Sequence, residues 1–251
     1  MVHQTTAPCT RWAVSTVMTR QNLLPGLADS PLNCLIPYWD LANHAHGQLS
    51  TDWAPDTATT TCLAMRDFQE GEQFTIYYGL RANCDLLVHN GFVFPDNQAD
   101  CLTVRLGVAK TDALAPARLA LLERLGLHTQ KFQLRRTEEP LEGGLVAFLR
   151  VLQMDAAGLA EERGEEQLEQ LRRVEEEQAV DGKVMQWLIT RAALLLRSYP
   201  TTLEQDVEAL KEEKDAIATI TTQLVLAEKR ILVATVAYCE QRLQKLGQNK
   251  E

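Results

Sequence analysis

Residues 35–47 read LIPYWDLANHAHG, and within them an apolar entry gives way to Trp39, Asp40, Asn43 and His44 in the space of six residues. Polar side chains bunched directly after an apolar run mark either a binding site or a capped turn in which Asp40 or Asn43 bonds nearby backbone amides. Both readings stay open on this stretch alone. Two segments further on bear on the choice. IYYGLRAN, residues 76–83, sets Tyr77 and Tyr78 side by side before Gly79. On a strand they point to opposite faces, so one can sit in a core while the other lines a cleft. HNGFVF, residues 89–94, places Asn90 and Gly91 after a short helical stretch, where Gly91 reads as a helix stop.

Working outward, the residues before position 100 carry short segments and the residues after it long helical periods. RWAVSTVMTRQ, residues 11–21, has no Pro or Gly and reads as a short helix, followed by a loop marked by Pro25, Gly26 and Pro31. TTCLAMRDFQEGEQFTIYYG, residues 60–79, reads as two strands paired across the polar turn Gln69-Glu70-Gly71-Glu72. CLTVRLGV, from residue 101, reads as one more strand. Helices are expected over Leu114 to Leu125, ended by Gly126, over Gly144 to Met154, and over Val184 to Tyr199, stopped by Pro200. Thr201 or Thr202 is positioned to cap a further helix. The Glu- and Gln-rich span from Glu161 to Glu177 reads as a solvated helix face or acidic insertion. Finally, Ile217, Ile220, Leu224, Ala227, Ile231, Ala234 and Tyr238 recur at three- and four-residue steps, the stripe of a long amphipathic helix packed on its own domain.

Composition narrows the classes. With 251 residues, 45% of them hydrophobic and 24% charged, the chain can bury two ordinary cores. A formal net charge of -9 argues against a dominant nucleic-acid or anionic-membrane surface. The six cysteines form no C-x-x-C pair, and neither they nor the closely spaced His44 and His46 outline a zinc site; no metal is expected. No signal peptide or bilayer-spanning run is seen, which reads as a cytoplasmic, possibly also nuclear, protein with reduced thiols.

Taken in order, RWAVSTVMTRQN, LIPYWDLANH, DFQEGEQFTIYYGLRAN and HNGFVF resemble the closing half of a SET domain. They are similar in particular to the actin-histidine methyltransferases, with the Rubisco large-subunit lysine methyltransferases as more distant relatives. CLTVRLGVAKTD, LLERLGLHT, VAFLRVLQMD and RAALLLRSYPTTLEQD continue the likeness into the helical domain those enzymes use for substrate binding. The resemblance implies an α+β chain: the carboxyl-terminal part of a SET β-fold over residues 1–99, then a mostly α-helical substrate-binding domain over 100–251. It implies S-adenosylmethionine as cofactor, held by Arg20, Asp40, Leu41, Ala42, Asn43, His44, Asn90, Gly91 and Phe92. Tyr78 would be the catalytic tyrosine, Asn22 and Trp39 would face the substrate histidine, and actin would be the protein partner of a monomeric enzyme. Protein-lysine methylation and a non-catalytic binding module are the alternatives. Nothing here matches that family's first SET strands or its glycine-containing cofactor loop, so the chain is expected to start partway through such an enzyme.

Overall fold

The computed structural model describes residues 7–24, 31–127, 131–173, 179–212 and 215–248. Pro25, Gly26 and the last part of the acidic span lie outside the described residues. Two compact units divide the chain, Met1–Asn97 and Gln98–Glu251.

The first unit opens with helix α1, Ala7–Arg20. Strands β1, Asn22–Leu24, and β2, Leu32–Cys34, pair antiparallel after it. A single 3-10 turn, Trp39–Leu41, leads into β3, Asn43–His44. Next comes an antiparallel hairpin of β4, Thr51–Ala54, and β5, Thr59–Cys62. β6, Thr75–Ile76, then returns to lie parallel to β3, so the chain crosses back over the segment it left some thirty residues earlier. Helix α2, Asn83–Asn90, closes the unit on Gly91, whose φ of 81° lets its N–H reach the Leu86 and Leu87 carbonyls. Ile76, Ala82, Leu86 and Val93 form its buried apolar centre.

The two segments within residues 60–79 do not pair with each other, contrary to the expectation from sequence. The turn forms, with the Glu72 N–H bonded to the Gln69 carbonyl, but the flanking segments take different partners, β5 with β4 and β6 with β3. Thr59–Cys62 has a nearer antiparallel mate upstream, and hairpin closure over a short 3-10 turn, Pro55–Thr57, costs less loop entropy.

In the second unit β7, Cys101–Arg105, pairs antiparallel with β8, Lys131–Arg135, and helices fill the rest. These are α3 (Ala115–Arg124), α4 (Gly143–Gln153), α5 (Ala156–Ala160), α6 (Glu165–Gln170), α7 (Ala179–Ser198), α8 (Leu203–Glu212) and α9 (Ala216–Gln248). GGLVAFLRVLQ is apolar nearly all round, and α4 is accordingly the core helix, with Leu145 to Val151 buried. Its one charge, Arg150, is 1% exposed and donates from Nη1 to the Gln170 and Leu171 carbonyls at 3.0 and 2.9 Å, satisfying the end of α6. α9 packs along α7 and onto α8, as its stripe requires. Thr202 caps α8 in a reciprocal box: its Oγ1 accepts from the Gln205 N–H at 3.2 Å, and Gln205 Oε1 accepts from the Thr202 N–H at 2.8 Å. Among the described residues no helix is long and apolar enough to cross a membrane, and no cluster of His, Cys, Asp or Glu is disposed to hold a metal.

Candidate active site

The crossing of β3 and β6 brings the quoted segments together around one cleft of about 140 Å³. Arg20, Asn22, Trp39, Asp40, Ala42, Tyr78 and Asn90 line it, joined by Arg81 and Tyr77. Residues separated by up to seventy positions meet there, on either side of the parallel β3–β6 pair.

Each wall is fixed by hydrogen bonds. Arg20, in the last turn of α1, donates from Nη1 to the Asp40 carbonyl at 2.6 Å, and Asn22 Nδ2 donates to the Arg20 carbonyl at 3.0 Å. The helix end is thereby satisfied and both side chains are held. Asn90 Nδ2 donates to the Thr19 carbonyl at 3.4 Å, and Arg81 Nη1 donates to Asn90 Oδ1 at 3.1 Å. Trp39 is held at the mouth by its indole N–H, 2.8 Å from Thr51 Oγ1. It enters the 3-10 turn through Tyr38, whose φ of 66° and ψ of -42°, with the Trp39 N–H on the Pro37 carbonyl at 2.8 Å, form a three-residue γ-turn of the rare strained type.

Tyr78 is half-buried; its hydroxyl donates to the Ala42 carbonyl at 2.7 Å and its backbone N–H donates to His44 Nδ1 at 3.2 Å. Burial, the largest influence, raises the phenol above its usual value, so it is neutral near pH 7. His44 accepts at Nδ1 and therefore carries any single proton on Nε2. Its ring sits among Tyr78 and Phe94, with centroids at 5.2 and 5.1 Å. Desolvation by burial, followed by repulsion from His46, lowers its pKa from the ordinary value.

Seven of the residues singled out from sequence meet at the cleft. Leu41 is 65% exposed, Asn43 and Gly91 are exposed, and His44 and Phe92 belong to the aromatic cluster behind Tyr78; these five do not line it. Sequence reasoning missed Arg81, and with it the support of the wall. Buried Asn83 accepts from the Phe94 N–H at 3.0 Å, while Asn97 Nδ2 donates to the Arg81 carbonyl at 2.7 Å. The only available signal was the position of Arg81 and Asn83 directly after the paired tyrosines.

Two guanidinium groups, a carboxylate, carboxamides, backbone carbonyls and a neutral phenol around one small cleft suit a zwitterionic ligand that offers both a carboxylate and a cation. The fold matches that of protein methyltransferases of the SET class: the SET domain of LSMT bound to lysine and AdoHcy aligns with a TM-score of 0.75 at 23% identity, over 97% of this chain and 58% of that one. Rubisco LSMT bound to AdoMet aligns with a TM-score of 0.73 at 24% identity, over 97% and 57%. Residues 109–232 match the Rubisco LSMT substrate-binding family. Curated relatives include the actin-histidine N-methyltransferases of Dasypus novemcinctus and Mus musculus, each 39% identical over an alignment of 235 residues that covers 90% of this chain and 40% of theirs. The chain thus spans about 40% of the length of the curated relatives it matches.

Proposed function

We propose that this chain carries the methyl-transfer cleft and the substrate-binding domain of a protein-histidine N-methyltransferase that uses S-adenosylmethionine and modifies a histidine of actin. One observation carries the reading: Arg20, Asn22, Trp39, Asp40, Ala42, Tyr78 and Asn90, drawn from four separate segments, converge on a single cleft. The residues present suit the cofactor. Arg20 and Asn90 are the groups to meet its carboxylate, and the Ala42 carbonyl and Tyr78 oxygen are the electronegative atoms to face its sulfonium. S-adenosylmethionine supplies an electrophilic methyl group when bound.

The protein's share is alignment. A histidine nucleophile, with an ordinary pKa of about 6.5, is largely neutral at pH 7, whereas lysine, near 10.4, must first lose a proton. An imidazole instead needs its single proton fixed on the nitrogen that does not attack. Asn22 serves that need: its Nδ2 is engaged by the Arg20 carbonyl, which leaves Oδ1 to accept the imidazole N–H. Trp39, pinned by Thr51, supplies a flat wall for a flat ring. Tyr78 acts through its oriented dipole, because a neutral phenol with a raised pKa is no base at pH 7. The curated relatives and the carboxamide at position 22 favour histidine over lysine as the acceptor.

The test is calorimetry of this chain with S-adenosylmethionine, followed by mass spectrometry of an actin peptide containing the target histidine. Saturable cofactor binding with methyl-histidine formation is expected. Cofactor binding with methyl-lysine in place of methyl-histidine would replace the acceptor; absence of both would leave a non-catalytic binding module.

A further inference from the structure

Helix α7, in the second unit, carries a feature of its own. From Lys183 to Ser198 it contains three basic residues, Lys183, Arg191 and Arg197, and no carboxylate, in a chain with 34 acidic residues. Among the described residues none of the three is ion-paired. Its inward face, Val184, Met185, Leu188 and Ala192, is buried in the core. Its outward face, beside Gln153 at the end of α4, lines a groove of about 510 Å³. Lys183, Trp187, Arg191 and Leu194 recur along that groove at steps of three and four residues, one side of the helix.

The chemistry of the groove is mixed in a particular way. Trp187 is half-buried and packs against the core, and Leu194 is 53% exposed. The two lie seven residues apart, about 10.5 Å along the helix at 1.5 Å per residue. Lys183 and Arg191 flank Trp187 by one turn on either side. Thr190 lies between the anchors, its hydroxyl already donating to the Gln186 carbonyl at 2.9 Å, so it asks nothing of a ligand. A partly buried aromatic and an aliphatic at a two-turn spacing, bracketed by cations that have no ion pair among the described residues, complement an amphipathic helix of the opposite charge.

We infer that the α7 groove is a docking site for an acidic amphipathic helical segment of a partner protein, seated on Trp187 and Leu194 and flanked by Lys183 and Arg191. Self-association through the same face is disfavoured, since a two-fold contact would set these cations against their own copies.

The experiment is fluorescence anisotropy of the full chain with a labelled helical peptide bearing leucines at i, i+4 and i+7 and glutamates elsewhere, beside the same peptide with lysines for glutamates. Saturable binding of the acidic peptide is expected, at least about tenfold tighter than the basic one and weakened about tenfold by the paired exposed changes Lys183→Glu and Arg191→Glu. Trp187→Ala should weaken it too; if that variant loses helical circular dichroism, the charge reversal carries the test. No saturable binding, equal binding of the two peptides, or binding indifferent to the charge reversal overturns the inference. So does a chain that dimerises through this face, or that binds phosphatidylserine vesicles but not the peptide, with either behaviour abolished by the same substitutions.

Discussion

Replacing Tyr78 by Phe removes one oxygen and nothing else, so its consequences can be worked from the geometry. The hydroxyl donates to the Ala42 carbonyl at 2.7 Å in a half-buried setting. Losing such a bond costs about 1 kcal/mol of folding stability, and in a unit of about one hundred residues that lowers the melting temperature by about 4–8 °C. The Tyr78 N–H to His44 bond and the ring contacts are backbone- and ring-borne, so they survive the change. Cofactor affinity should then fall by less than about tenfold, because one hydrogen bond of this kind accounts for about 1.4 kcal/mol at most. Methyl transfer should fall by about a hundredfold, since the lost dipole acts where charge changes along the reaction. Thermal melts followed by circular dichroism, calorimetry with S-adenosylmethionine and initial rates on an actin peptide give the three numbers. Unchanged turnover would remove Tyr78 from the chemistry, and a melting temperature that does not move would mean the hydroxyl is not bonded to Ala42.

Asn22→Phe should slow histidine methylation far more than it weakens cofactor binding, measured as rate against calorimetric affinity; equal losses would indicate disrupted folding. His44 has a lowered pKa in the folded chain, so the unfolded chain takes up its proton more readily; its contribution is complete above about pH 6.5 and is lost as the pH falls from there towards its folded value. Melts between pH 5 and 8 should show this fall, with Arg81 and His46 facing the ring, and His44→Asn, which keeps an acceptor at the Nδ1 position, should flatten it. Lys229, 1% exposed and bonded to the Thr201 carbonyl at 2.7 Å and to Asp206, ties α9 to the start of α8; Lys229→Met should cost about 3–5 kcal/mol in urea titration by stranding a buried carboxylate. Gly143→Ala would bring a Cβ to 2.7 Å from the Arg172 backbone carbonyl, and a loss of about 1–3 kcal/mol is expected by the same titration.

Long periodic segments were legible in the sequence. The stripe of α9 and the stops at Gly91 and Gly126 follow from local rules: Ala227 and Ile231 of the stripe are buried, while Ile217 at its start is 77% exposed and the buried face widens to Leu226, Leu232, Thr235 and Cys239. Short strands were legible only in part: CLTVRLGV reads as a strand and forms β7, Cys101–Arg105, whereas its partner β8 carried no signal of its own. KFQLR in β8 alternates buried Phe132 and Leu134 with polar neighbours, a pattern too brief to rise above chance before its partner β7 is known. The pairing of β6 with β3 escaped for a deeper reason: a parallel contact across some thirty residues leaves no local signal, and the nearer hairpin reading competes with it. Within the site, Arg20, Asn22, Trp39, Asp40, Ala42, Tyr78 and Asn90 were found by resemblance to a family, whereas Arg81 and Asn83 were missed because their roles are set by Asn90, Phe94 and Asn97.

The most direct measurement is titration of the intact chain with S-adenosylmethionine in a calorimeter, repeated with Arg20→Ala and with Asn90→Ala. Saturable binding, weakened by either substitution while circular dichroism is retained, is the predicted result. A chain that keeps its helical signal and binds no cofactor, or that binds it equally well in both variants, would contradict the assignment of this cleft.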